Sequence, residues 1–207
     1  MRLPSPLLAV TDRHLHPRPL PETVRAILAG GGRWIWFRDK DLPGAERRAL
    51  GAAVAGEVRA AGGFLTVGGD PDLAAALGAG GVHLPGGSGA EAVARARAAL
   101  GAAAWVGISA HSLNEVAAAA AAGADYVTLS PIFATPSKPG YGPALGLGAI
   151  AAAPRSLPLV ALGGIGLDTL ASCRAAGAAG FAVMGGVMRG EDPEGATRDL
   201  IAGWADR

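Results

Sequence analysis

The sequence predicts a single-domain (β/α)8 TIM barrel spanning residues 1–207. Eight short β-prone apolar runs alternate with helical segments along the whole chain. No shift in composition marks a domain boundary, and the length suits one domain. Half of the residues are hydrophobic but only 5% are aromatic, so a substantial and mainly aliphatic core is expected. A doubly wound sheet shows the same alternation. Eight even units, with no GxGxxG at the first turn, favour the barrel.

The strand candidates are 7–11, 34–38, 64–67, 81–84, 105–109, 126–130, 159–162 and 180–184. Leu20, Val24, Ile27 and Leu28 recur at helical spacing, as do Leu50, Val54 and Val58. Segments 73–77, 93–100, 113–121 and 167–176 are weaker, because alanine blurs their faces. Alanine is the best helix former and packs closely on strands, so the Ala/Gly tracts read as barrel helices. The last helix opens with Asp192 as N-cap, Pro193 at the first position and Glu194 in the first turn. The 33 glycines show no collagen period and read as turn residues.

A net charge of +1 offers no field for nucleic acid or an anionic membrane. No apolar run reaches the roughly 18 residues of a membrane span. Cys173 is the single cysteine, so no intrachain disulfide forms. The N-terminal stretch makes a poor signal peptide, with two prolines around a short apolar run. These features predict a cytoplasmic protein whose partner is a small molecule. The oligomeric state stays open, a homodimer included.

Barrel sites form at the C-terminal ends of strands. Thr11-Asp12-Arg13 ends the first strand and is as well explained by a local ion pair. In Trp36-Phe37-Arg38-Asp39-Lys40, alternation places Arg38 and Lys40 on one side, where two cations suit a phosphate or carboxylate. The competing reading is a solvated cluster balanced by Asp39 and Asp41. After the third strand Asp70 reads as a helix cap, and after the fourth Ser88 does the same. His111 precedes a capping box, Ser112-x-x-Glu115. At a helix mouth the neutral imidazole is favoured, which suits proton transfer; packing as a staple residue explains it equally. His83 reads as a core residue, and His14 and His16 as surface. The loop after the sixth strand is long, and Lys138 in it is a candidate anion clamp. Gly163-Gly164 and Gly185-Gly186 close the seventh and eighth strands, the usual place for a barrel phosphate site. Their backbone N–H groups would face the phosphate.

VTDR at 10–13, FRDK at 37–40, GVHL at 81–84, GISAH at 107–111, GADYVTLSPIFATPSK at 123–138, ALGGI at 161–165 and AVM at 182–184 occur in this order. Together they resemble the thiamine phosphate synthase and thiazole tautomerase superfamily, over almost the whole chain. The resemblance implies a thiazole phosphate ligand, with its phosphate on Gly164, Met184 and Gly185 and the ring beside Thr135 to Ser137. It implies a pyrimidine diphosphate subsite at Arg38, Lys40, Ser109 and Lys138 in the synthases. The family's Gln is here Trp36, its Asn-Asp pair is Gly68-Gly69, and its second Asp is Ser88. Both carboxylates that would hold Mg²⁺ are therefore missing.

That loss, with Pro85-Gly86-Gly87-Ser88 and His111-Ser112, makes the tautomerase branch the leading expectation. In it His111 is the proton-transferring catalyst of an isomerase that needs no cofactor. The alternatives are a thiamine phosphate synthase, the one case calling for Mg²⁺, and a non-catalytic thiazole phosphate binder.

Overall fold

In the computed structural model, which describes residues 2–135 and 143–205, the eight expected strands are parallel and pair in sequence order. They are β1 (Leu7–Val10), β2 (Trp34–Phe37), β3 (Phe64–Gly68), β4 (Gly81–Leu84), β5 (Trp105–Ala110), β6 (Tyr126–Leu129), β7 (Leu159–Leu162) and β8 (Gly180–Val183). Pairing of Leu8 with Ala182 joins β1 to β8 and closes the barrel. The helices are α1 (Leu20–Ala29), α2 (Gly44–Ala60), α3 (Pro71–Ala76), α4 (Ala90–Leu100), α5 (Leu113–Ala121), α6 (Gly146–Ala152), α7 (Leu170–Ala176), α8 (Gly185–Met188) and α9 (Pro193–Ala205). Among the described residues no helix is long and apolar enough to cross a membrane.

Strand alternation divides the core in two. Leu7, Ala9, Ile35 and Phe37 face the helices and join an almost wholly aliphatic layer. Leu8, Val10, Trp34, Trp36 and Tyr126 belong to a separate cluster within the barrel. This inner layer is aromatic, which departs from the aliphatic core that composition predicts. Trp34 meets Tyr126 edge-on at 4.9 Å and donates from Nε1 to Thr66 Oγ1 at 2.8 Å. Glycine makes the room. A Cβ on Gly107 would fall within the Tyr126 ring, and one on Gly81 would strike the Trp105 backbone. So few aromatics suffice because they are concentrated where small strand residues admit them.

The helix starts follow their caps. Asp70 accepts from Leu73 N–H at 2.9 Å, with Pro71 at the first position of α3. Ser112 accepts from Glu115 N–H at 3.2 Å. Asp192 accepts from Gly195 N–H, and Trp204 of the helix that follows packs on Phe181 at 5.0 Å. Ser88 does not cap α4: its hydroxyl turns back to Pro85 O, and Gly89 holds the cap position. Helices α6 and α8 carry no sequence signal, being short and rich in glycine. His16 is not a surface residue. It is 9% exposed, and its ring bridges Arg18 N–H and Gly190 O.

Candidate active site

A cavity of about 950 Å³ opens at the C-terminal ends of the strands. Its size falls at the upper end of small-molecule sites. Of the residues singled out from sequence, Arg38, Lys40, Ser109, His111, Thr135, Gly163, Gly164, Met184, Gly185 and Gly186 all line it. Ser137 and Lys138 lie outside the described residues.

The β1 and β2 ends explain how the cations come to face inward. Thr11 donates from its hydroxyl to the Asp39 carboxylate and accepts from Arg38 N–H at 3.0 Å. Arg13 N–H donates to the other Asp39 oxygen at 2.8 Å. Asp39 is thus buried toward the chain that follows β1, and Arg38 and Lys40, just past the end of β2, line the cavity. Asp41 is taken by Arg13 at 2.6 Å and by His14 at 3.0 Å. Those two hydrogen bonds, Arg13's the stronger, hold its carboxyl well below the usual carboxylate range. The two acids that would balance the cations are engaged by Thr11, Arg13 and His14, which follow β1, so the cluster is not a self-neutralised surface patch.

Two further cations line the cavity that sequence reasoning missed. Arg47, from α2, is 8% exposed and lies over the Phe37 ring at 5.9 Å. It donates to Gly68 O at 2.7 Å and pairs with Asp70 at 3.1 Å, while its Nε has no partner among the described residues. Nothing in sequence separates it from Arg48; only docking of α2 buries one of the two. Arg189 lines the β8 side, its guanidinium folded against Gly185. That return is the i, i+4 geometry of one helical turn, readable only once a turn at Gly185 is known. Against four cations, Asp70 is the one carboxylate among the described lining residues.

The floor is built on His83, which is 2% exposed and yet lines the cavity. Its Nδ1 meets Tyr126 Oη at 2.9 Å, and its Nε2 meets Ser109 Oγ at 3.0 Å. The Trp36 indole covers its face with ring centres 4.0 Å apart. Burial pushes the His83 pKa down to about 3, so the ring is neutral. Trp36 fills the space above β3: a Cβ on Gly68 would lie 2.9 Å from its Nε1, which fits glycine at that position.

His111 stands at the mouth of α5, as its spacing predicts. Its Nδ1 lies 2.7 Å from Ser130 O, and a carbonyl only accepts, so Nδ1 carries the hydrogen. Nε2 is then the acceptor of the neutral ring. The capping box is displaced by one residue: the Glu115 carboxylate accepts from His111 N–H at 2.7 Å rather than from Ser112 N–H. His111 is therefore held at both its backbone and its ring.

Gly163 and Gly164 have φ of 95° and 65°, a region that disfavours side chains. A Cβ on Gly164 would lie 2.7 Å from Ala134 O. These glycines let the β7 loop pack on the segment after β6, where Phe133 N–H donates to Gly163 O at 3.0 Å. Gly186 differs: the nearest atom to an added Cβ is 4.0 Å away, so its backbone is open.

The residues present do not fit Mg²⁺. The positions that the synthase pattern gives to carboxylates hold Gly69 and Ser88. Both Asp70 oxygens are engaged, by Leu73 N–H and by Arg47. Among the described residues no group of three or more His, Cys, Asp or Glu could hold a metal. Residues 136–142 contain no Asp or Glu. A hard cation needs several oxygen ligands, usually with carboxylates among them.

Fold and cavity together define a TIM-barrel protein with a cationic mouth at the C-terminal ends of its strands. The family model described as thiamine monophosphate synthase matches residues 7–187, and the chain belongs to that family. A thiamine-phosphate synthase of a Roseiflexus species is 40% identical over 196 residues, covering 93% of this chain and 82% of the relative. One from Methanoculleus marisnigri is 41% identical over 197 residues, covering 94% and 92%. The solved thiamine phosphate pyrophosphorylase of Pyrococcus furiosus superposes with a TM-score of 0.83 at 30% identity, covering 97% of this chain and 95% of that one. These relatives overturn the leading expectation from sequence. The match is to synthases, which are transferases, and not to the tautomerase branch with its isomerase chemistry. The altered metal positions and the His-Ser pair weighed toward the tautomerase, but they are a handful of residues against similarity over nearly the whole chain.

Proposed function

We propose that this protein is a transferase of the thiamine-phosphate synthase type, joining hydroxymethylpyrimidine diphosphate to thiazole phosphate. The observation that carries this reading is the charge layout of the cavity. Arg38, Lys40 and Arg47 lie by β2 and β3, and Arg189 lies with the open glycine backbone by β8. Two anionic substrates need two such ends. The relatives' names give the product, thiamine phosphate, and the family resemblance implies the pair of substrates.

The thiazole phosphate sits on the β7 and β8 loops, with Gly163, Gly164, Met184, Gly185 and Gly186 presenting backbone to it and Thr135 beside the ring. The diphosphate faces Arg38 and Lys40. The thiazole nitrogen lone pair forms the new C–N bond to the pyrimidine's exocyclic methylene. The C–O bond breaks as its electron pair leaves with the diphosphate. Cations placed where that charge develops lower the barrier. No proton leaves the reacting atoms, so His111 has none to abstract. It serves as a fixed hydrogen-bonding and positioning residue, its ring set by Ser130 O. Ser109 is turned by its bond to His83 and completes the floor beneath the ring.

The test is to incubate the purified protein with both substrates, with and without Mg²⁺, and to quantify thiamine phosphate and pyrophosphate by chromatography. Equimolar formation of the two products supports the reading. Absence of product under both conditions refutes it.

A further inference from the structure

We infer that the β2–β3 end of the cavity is a diphosphate cradle that works without a metal, its counter-charge coming from Arg38 and Lys40. The diphosphate identity rests on the proposed transferase reading; the metal independence rests on the residues themselves.

The rim offers no unengaged carboxylate among the described residues, and Asp70 already accepts from Leu73 N–H and Arg47. A bound diphosphate still requires neutralisation in a partly enclosed site, because a multiply charged anion loses hydration there. Arg38 and Lys40 meet that need. No hydrogen bond or ion pair engages either side chain among the described residues, whereas the neighbouring acids are held by Thr11, Arg13 and His14. Their combined charge equals that of one Mg²⁺.

Arg47 walls this end without adding free charge: it is clamped by Gly68 O and Asp70 and lies against Phe37, and its Nε, which has no partner among the described residues, is itself buried. Thr11 accepts from Arg38 N–H and Asp39 accepts from Arg13 N–H, which fixes the chain at Arg38 and Asp39, immediately before Lys40.

The test uses inorganic pyrophosphate as probe, titrated into the whole protein by calorimetry, in EDTA and in excess Mg²⁺. Binding in EDTA at least as tight as in Mg²⁺ is expected. Arg38→Gln and Lys40→Gln should each weaken it by about tenfold, the loss of one charge-assisted contact. Both side chains are partly or fully exposed, so the fold should survive, and a thermal melt checks this. Binding that requires Mg²⁺, or that is unchanged in both variants, overturns the cradle. The condensation assay separates the two readings. Thiamine phosphate formed only with Mg²⁺ sinks the cradle and leaves the transferase standing. Metal-free pyrophosphate binding without any condensation sinks the transferase and leaves the cradle standing.

Discussion

His83 should make the protein lose stability in mild acid, by an amount that the structure sets. In the fold the ring is buried, its pKa pushed down to about 3, and both nitrogens are engaged by hydroxyl groups. In the unfolded chain the same ring titrates near its ordinary value of about 6.5. Between these values the unfolded state binds the proton and the folded state does not. Stability is therefore fully present above about pH 6.5, and it falls steadily as pH drops toward the folded value. From pH 7 to pH 5 the occupancy of the unfolded site rises from roughly a quarter to nearly complete, which costs about 2 kcal/mol. The folded pKa scarcely enters, provided that it stays below about 4. Replacing His83 with Gln retains a polar group beside Ser109 but removes the titration. Urea unfolding of the parent and of His83→Gln at both pH values isolates this contribution, since every other titrating group is common to the two. The parent should lose about 2 kcal/mol more than the variant. Equal losses would show that His83 is not desolvated in the fold and would refute the reasoning.

Gly107→Ala places a methyl group in the Tyr126 ring and disturbs its bond to His83. Calorimetry should show a melting temperature lowered by roughly 3–10 °C, from an overpacking cost of about 1–3 kcal/mol. Gly164→Ala, at φ 65° and against Ala134 O, should destabilise by at least about 1 kcal/mol, whereas Gly186→Ala should stay within about 0.5. Paired thermal melts check that contrast. Ser112→Ala removes the α5 cap and should cost about 1 kcal/mol in urea unfolding.

Some residues were legible in the chain and others were not, for identifiable reasons. Arg38 and Lys40 could be placed together because strand alternation is a local property that holds in any sheet. His111 could be placed at a helix mouth because a capping box is a four-residue signal. The box sets the helix start at Ser112 as its spacing predicts, and only the Glu115 carboxylate differs, reaching one residue further back to His111 N–H. Arg47 and Arg189 were invisible. Their placement depends on which face of α2 docks against the barrel and on the turn at Gly185, and neither the Arg47-Arg48 pair nor an arginine after a glycine-rich run carries a mark of that. His83 reads as core in sequence and is core, but the same ring is the floor of the cavity, because β4 ends beneath an open mouth. The chemistry was misjudged for a similar reason. Missing carboxylates are plain in sequence, whereas the capture of Asp39 and Asp41 by Thr11, Arg13 and His14, which leaves Arg38 and Lys40 uncompensated, is not.

By itself, then, the sequence determined the repeating strand–helix unit, the end of the barrel to inspect and the residues on the strand ends there. All of these follow from short-range periodicity and capping. Only the tertiary structure decided which charges survive neutralisation. Asp39 and Asp41 are each next to a basic residue in sequence, yet they are engaged by Thr11, Arg13 and His14, and Asp70, with no basic residue near it in sequence, is paired by Arg47. Closing the barrel brings β1 against β2 and α2 against the end of β3. Electrostatic pairing falls off with distance in space, not in sequence, so the net charge of the cavity exists only once the strands have met.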